Sequence, residues 1–254
     1  MYSSLEENRR KEVIQKCYWP LLKLCDKLNW PLSIEMSGLT LSYIRDLDPE
    51  WIEYFKQLLS EKKCELIGSG YSQIIGPLVP EKINDWNQKL GLDIYQKILN
   101  ICPDIALVNE MAYSSGLIQH YLNHNYNAII MEWNNAYSNH STWDKQWQYS
   151  PQIATDQNGR EIALIWANSI AFQKFQRYAH KENEIEDYIK YIKSNIGNED
   201  RFFPLYSNDV EIFNYRPGRY KTETKIESIS EWQRIFDLYA KLLDEEWSEF
   251  IFPS

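Results

Sequence analysis

Positive charge is what this 254-residue chain has least of relative to its needs for polyanion binding. Its 27 Lys and Arg face 36 Asp and Glu, a net charge of −9. A nucleic-acid groove needs a basic face, and an anionic membrane surface needs clustered Lys and Arg, so neither partner is expected. Long apolar runs are missing as well. None approaches the roughly 18 residues of a membrane span, and the opening MYSSLEENRRKE lacks the apolar core of a secretory leader. A cytoplasmic protein is the resulting expectation. Cysteine is sparse and scattered, at Cys17, Cys25, Cys64 and Cys102 with no CxxC, which suits reduced core thiols. There is no internal repeat and no low-complexity segment. A phosphate loop of the GxxxxGK[ST] type is absent too, because the glycines at Gly68 and Gly70 lead into IIGPLVP with no lysine.

What is present in excess is aromatic surface, with 10 Trp and 18 Tyr. Such rings pair a flat apolar face with a polar edge. Sugars have the same duality, so a neutral polymer or small molecule is a compatible ligand. Short apolar runs recur along the chain as strand candidates: PLSIEM (31–36), CELIG (64–68), DIALVN (104–109), YNAIIME (126–132), IALIWA (162–167) and FFPLYS (202–207). Their lack of clean alternation predicts strands buried on both faces, hence parallel. Helical patterns lie between them. Pro49 opens one with Trp51, Ile52, Phe55, Leu58 and Leu59 in a stripe, and Pro80 another with Ile83, Leu90, Ile94 and Ile98 inward. Further helices are expected over 114–124, 169–180 and 185–192, and a last one around Trp232 and Tyr239. The alternation predicts βα units on a parallel sheet, open or closed into a barrel. The long polar stretch 134–160 reads as an elaborated loop after a strand tip.

In such folds the chemistry sits at the carboxyl ends of the strands. Here those ends carry Glu35, Tyr71 and Gln73, Asn109 and Glu110, Glu132 and Trp133, Trp166, and Asp209 and Glu211. Two carboxylates can break a glycosidic bond, one as nucleophile or base and the other as proton donor.

The segments LVNEMAY and NDVEIFNYRPGRY resemble the two catalytic motifs of glycoside hydrolase family 57, and ELIGSGYSQIIGPLVP and SIAFQKFQRYAH look like other parts of it. The resemblance spans residues 13–240. It implies a single incomplete (β/α)7 barrel domain over residues 1–254, with mostly parallel strands and its first strand missing. It also implies retaining chemistry on α-linked glucan or oligosaccharide, by hydrolysis or transfer, without cofactor or metal. Glu110 then corresponds to the nucleophile and Asp209 to the acid/base. A retaining pair holds its carboxyl groups about 5–5.5 Å apart. On the same reading Glu35, Glu132 and Glu211 neighbour the acids, and Tyr71, Tyr113, Trp133 and Trp166 serve as sugar platforms. Gln73 contacts substrate, and Arg216 and Arg219 orient the carboxylates. The chain departs from the family pattern where no His-Gln-Pro occurs and where Asn214-Tyr215 stands in place of Gly-His. A catalytically impaired carbohydrate-binding barrel is therefore the alternative expectation. A metal-dependent polysaccharide deacetylase is a third, resting on His120 and His124 at helical spacing.

Overall fold

Buried apolar runs bounded by turn residues form the strands expected of them. The computed structural model describes residues 5–204, 207, 209–215 and 230–254. In chain order the strands are β1 (Leu32–Met36), β2 (Cys64–Gly68), β3 (Ile105–Leu107), β4 (Ala128–Glu132), β5 (Gln152–Thr155) and β6 (Glu161–Ala167). The helices are α1 (Arg10–Val13), α2 (Trp19–Leu28), α3 (Gly38–Leu47), α4 (Pro49–Ser60) and α5 (Glu81–Leu99). They continue with α6 (Ile118–Asn123), α7 (Trp133–Ser138), α8 (Ser169–Ala179), α9 (Ile185–Lys193) and α10 (Glu231–Leu243). A π-helical turn, Ile14–Tyr18, joins α1 to α2. Two units result: Leu32–Ala167 with Phe252–Ser254, and Met1–Pro31 with Asn168–Ile251.

The first unit holds one six-stranded sheet in the order β1-β2-β3-β4-β6-β5. Every pairing is parallel except β5 with β6, and the sheet is not closed. The register is level at the exit ends, with Met36 opposite Gly68 and Glu132 opposite Ala167. The antiparallel strand corrects the reading of 134–160 as a loop. That stretch contains α7, a 3-10 turn and β5, which returns through a tight turn to β6. Buried Asp156 builds the turn by accepting from the Asn158 N–H at 2.7 Å, the Arg160 N–H at 2.9 Å and the Arg160 Nε at 2.8 Å. The expected strand over 202–207 is not formed at its described residues 202–204, and Leu205 and Tyr206 lie outside the described residues.

Helix α4 follows its predicted stripe, with Trp51, Ile52, Phe55 and Leu58 buried and Asp48 accepting the Trp51 N–H at 3.2 Å. Helix α5 does not. Ile83 and Leu90 are exposed, and the buried face runs Asn84, Asn87, Gln88, Gly91, Tyr95, Ile98 and Leu99. The reason is the work this face does for the strand ends. Parallel strands leave backbone groups unpaired where they exit the sheet, and a buried unpaired group costs about 1–3 kcal/mol. The Tyr95 hydroxyl accepts from the Ser69 N–H at 3.1 Å and lies 2.6 Å from the Met36 carbonyl and 3.0 Å from that of Gly70. Asn87 accepts from the Ser72 N–H at 2.9 Å and donates to the Ser72 carbonyl at 3.0 Å. Gly91 lets the two elements close together, since a Cβ there would stand 2.5 Å from the Gly70 carbonyl carbon.

The second unit is built on helices, and its N-terminal helix was not legible in advance. Pro20 explains its form. Proline has no N–H, so the carbonyl four residues earlier loses its helical donor. That carbonyl is Lys16, and the Trp232 indole N–H of α10 donates to it at 2.9 Å. The widened turn at Ile14–Tyr18 accommodates the interruption. Cys17, Cys25 and Cys64 are buried, as expected of core thiols, while Cys102 is exposed. Among the described residues no helix is long and apolar enough to cross a membrane.

Tyr95→Phe keeps the ring and removes the hydroxyl shared by three backbone groups. The expected loss is about 1–3 kcal/mol of unfolding free energy, read as a lower denaturant midpoint for the β-unit.

Candidate functional site

Each unit carries part of the expected site. In the sheet unit, Glu110 follows β3 in the 3-10 turn Asn109–Met111, and its side chain is exposed. Its backbone stands at φ 54°, ψ 15°, and Met111 follows at φ 52°. Two successive side-chain-bearing residues in the left-handed region are unusual, and each costs on the order of 1–2 kcal/mol. Neighbouring bonds hold the turn in place. The Val108 N–H donates to the Ile130 carbonyl at 3.1 Å, and the Met111 N–H to that of Val108 at 3.0 Å. Asn109, buried directly before Glu110, accepts from the Ser69 hydroxyl at 2.8 Å and donates to the Ser69 carbonyl at 3.1 Å. This reciprocal clasp locks the exit of β3 to that of β2. A buried Ser and Asn 40 positions apart leave no local signal of their pairing.

The other expected residues of this unit sit at the same strand exits. Glu35 lies half-buried on β1, and its charge, after burial as the larger cause, helps hold the Tyr95 phenol above its usual range. Tyr71 is half-buried and Gln73 exposed on the loop after β2, and Tyr113 is exposed beyond Glu110. Glu132 is buried and fully engaged at the start of α7. It accepts from the Asn134 N–H at 2.8 Å, the Asn134 side-chain amide at 2.9 Å and the Asn135 N–H at 2.6 Å. Trp133 and Trp166 are packed edge to face at 5.1 Å between centroids, and both are buried in the core. Tyr137 stacks on Trp133 at 5.1 Å, and Trp143 lies 5.9 Å from both tryptophans. A sugar platform needs an open ring face. In this cluster the open ring is Trp147, 42% exposed and 6.1 Å from Trp143.

His120 falls on α6 and His124 is the residue that caps its C-terminus. His120 is buried, and desolvation lowers its pKa. His124 Nε2 pairs with Asp85 of α5 at 3.0 Å. His120 and Gln88 border a cavity of about 10 Å³ behind the Glu110 turn, with Asn84 and Asn109 also on its wall. Among the described residues no group of three or more His, Cys, Asp or Glu is placed to hold a metal ion.

In the helical unit, Asp209 is exposed at the N-cap of the 3-10 turn Val210–Ile212. Glu211 in that turn is buried and accepts from the Tyr18 hydroxyl at 2.5 Å. The Cys17 thiol donates to the Phe213 carbonyl at 3.3 Å. Asn214 and Glu231 are joined by reciprocal bonds of 2.6 and 3.1 Å. Arg216 and Arg219 lie outside the described residues.

An open, mostly parallel α/β sheet with helices defines the fold class. A family model described as glycosyl hydrolase family 57 matches residues 1–254, and the chain belongs to that family. An alpha-amylase of Pyrococcus furiosus is 20% identical over 220 residues, covering 83% of this chain and 31% of the relative. The chain thus spans about a third of that protein's length. The crystal structure of a 4-alpha-glucanotransferase from Thermococcus litoralis aligns at a TM-score of 0.78 with 14% identity, over 95% of this chain and 36% of that one. The alpha-amylase AmyC of Thermotoga maritima aligns at 0.72 with 12% identity, over 99% and 70%. At these identities the likeness is one of fold, and it bears out an incomplete barrel of mostly parallel strands.

Replacing Glu110 by glycine relieves a left-handed side chain that is not buried. The gain in strain exceeds the backbone entropy that glycine loses on folding. Glu110→Gly is expected to raise stability by about 0.5–1 kcal/mol, seen as a higher melting temperature beside Glu110→Gln, which should leave it unchanged.

Proposed function

We propose that this protein is a retaining glycoside hydrolase or glucanotransferase that acts on α-linked glucan. The observation that carries the reading is the family match over residues 1–254. Two features support it. Glu110 and Asp209 are both exposed and both presented on 3-10 turns. The relatives named above are an alpha-amylase and a 4-alpha-glucanotransferase, whose substrate class comes to this chain as part of the proposal.

In the proposed reaction the Glu110 carboxylate attacks the anomeric carbon while the Asp209 carboxylic acid protonates the departing glycosidic oxygen. A glycosyl-enzyme ester forms and the leaving chain is released with its new hydroxyl. Asp209, now a carboxylate, takes a proton from water or from an acceptor sugar hydroxyl. That oxygen attacks the anomeric carbon and frees Glu110, so two inversions give net retention. The substrate's apolar faces suit open rings such as Tyr113 and Trp147, and its hydroxyls suit exposed amides such as Gln73.

The test is turnover of maltooligosaccharides by wild type, Glu110→Gln and Asp209→Asn. Loss of about 10²–10⁴-fold in kcat is expected for Asp209→Asn and a loss at least as large for Glu110→Gln. Proton NMR of the first-formed product should show the α-anomer. Tight binding without turnover in wild type would instead make the protein a glucan-binding barrel, and a β-anomer would remove Glu110 as nucleophile.

A further inference from the structure

Behind the Glu110 turn, three elements of the sheet unit meet around polar side chains. Gln88 on α5 is 6% exposed and His120 on α6 is 5% exposed. Gln88 Oε1 and His120 Nδ1 are both buried, and neither has a hydrogen-bond partner among the described residues. Both residues line the cavity of about 10 Å³, as do Val108, Asn109 and Ala112 from the turn after β3. Buried polar atoms are nearly always paired, so two orphans beside one cavity call for a shared partner. The other amides of the wall are already engaged. Asn84, one turn before Gln88, donates to the Gly76 carbonyl at 2.9 Å, and Asn109 is bonded to Ser69 through both its oxygen and its nitrogen. Gly76 leaves room on the same wall, since a Cβ there would stand 2.8 Å from Leu117 Cδ2 and 3.1 Å from Asn84 Oδ1.

We propose that this cavity is a binding site for one water molecule, held by Gln88 Oε1 and His120 Nδ1. Size sets the first limit, because a cavity of about 10 Å³ is the smallest that admits a single water. Charge sets the second. No Asp, Glu, Lys or Arg among the described residues lines the cavity, and an ion there would be buried without a counter-charge. Burial lowers the His120 pKa against the opposite pull of Asp85 and Glu81, so the imidazole is neutral at pH 7. Hydrogen-bond chemistry then matches water. Gln88 Oε1 only accepts, and it takes one water hydrogen. The imidazole Nδ1 accepts the other hydrogen or donates its own to the water oxygen, according to tautomer. Either way both orphans are satisfied, and one immobilised water costs less than two buried unpaired atoms. The water joins α5 to α6 behind the residues that carry Glu110. The inference does not depend on the proposed activity.

The test is a high-resolution crystal structure of the wild type beside a double-mutant cycle of Gln88→Met and His120→Leu. In the wild type one density peak is expected about 2.7–3.2 Å from both atoms. Each single variant leaves the other polar atom without half of its bridge, and the unfolding equilibrium constant should rise about tenfold. The double variant lines the site with apolar side chains, which hold no water. Its peak should vanish, and its unfolding constant should rise by less than the product of the two single changes. A wild-type structure with no water in the cavity, or with Gln88 and His120 bonded directly to each other, overturns the inference. Strictly multiplicative effects in the cycle overturn the shared partner as well. Should the variants fail to fold, the wild-type density alone decides.

Discussion

The exit ends of parallel strands set the terms for the sheet unit. Each strand that leaves such a sheet strands its last donors and acceptors away from water, and those groups must find partners close by. In this chain they find them on a helix. The buried face of α5 offers Asn84, Asn87, Gln88 and Tyr95 where an ordinary amphipathic helix offers leucines. Tyr95 ties the ends of β1 and β2 through one oxygen, Asn87 pins the loop after β2, and Asn109 with Ser69 ties β2 to β3. The exit ends are thus a fixed frame. A site of this kind gains most from side chains whose positions are set beforehand.

The helical unit meets the same requirement by another route. Pro20 frees the Lys16 carbonyl, Trp232 takes it up, and the interrupted helix turns Tyr18 and Cys17 toward the 209–213 segment. In both units a missing backbone partner is answered by a specific side chain, and in both an exposed acid rides on a turn held by separate bonds. Packing alone would leave those turns several arrangements of similar energy. Directional bonds to buried polar atoms leave one.

Five of the six strands are read off their apolar runs because strands buried on both faces advertise themselves by composition. The exception is physical. FFPLYS has the composition of a buried strand, but its described residues join no ladder, while the polar QIAT of β5 does. An edge strand with Ile153 61% exposed carries no such advertisement. Helix α5 was placed correctly, but its inward face matches the expectation only toward its C-terminal end: Ile98 is buried and Ile94 half-buried, while Ile83 and Leu90 are exposed. Its isoleucines and leucine lie partly outward because the inward face is chosen by hydrogen bonding, and hydrophobic periodicity is blind to that choice. Of the expected site, Glu110 and Asp209 were both expected at strand ends. Glu110 follows β3, whereas the strand expected to lead to Asp209 is not formed at its described residues and Asp209 stands before a 3-10 turn. Burial of Trp133 and Trp166 was not legible, since a tryptophan at a strand tip packs inward or outward with equal plausibility until its neighbours Tyr137 and Trp143 are known. Tyr18 left no trace at all, because its partner is 193 residues away.

The backbone at Glu110 shows why the frame must be stiff. A left-handed residue with a side chain relaxes toward ordinary φ unless its surroundings over-determine it. Relaxation would swing the carboxylate away from wherever the turn now aims it. The carbonyl and amide bonds of Val108, Asn109 and Met111 resist that movement, and the Asn109–Ser69 clasp transmits the resistance to β2. Glycine at this position would remove the strain and the carboxylate together. Two successive side chains stand where the chain geometry alone prefers none, and the bonds around Val108, Asn109 and Ser69 hold them there.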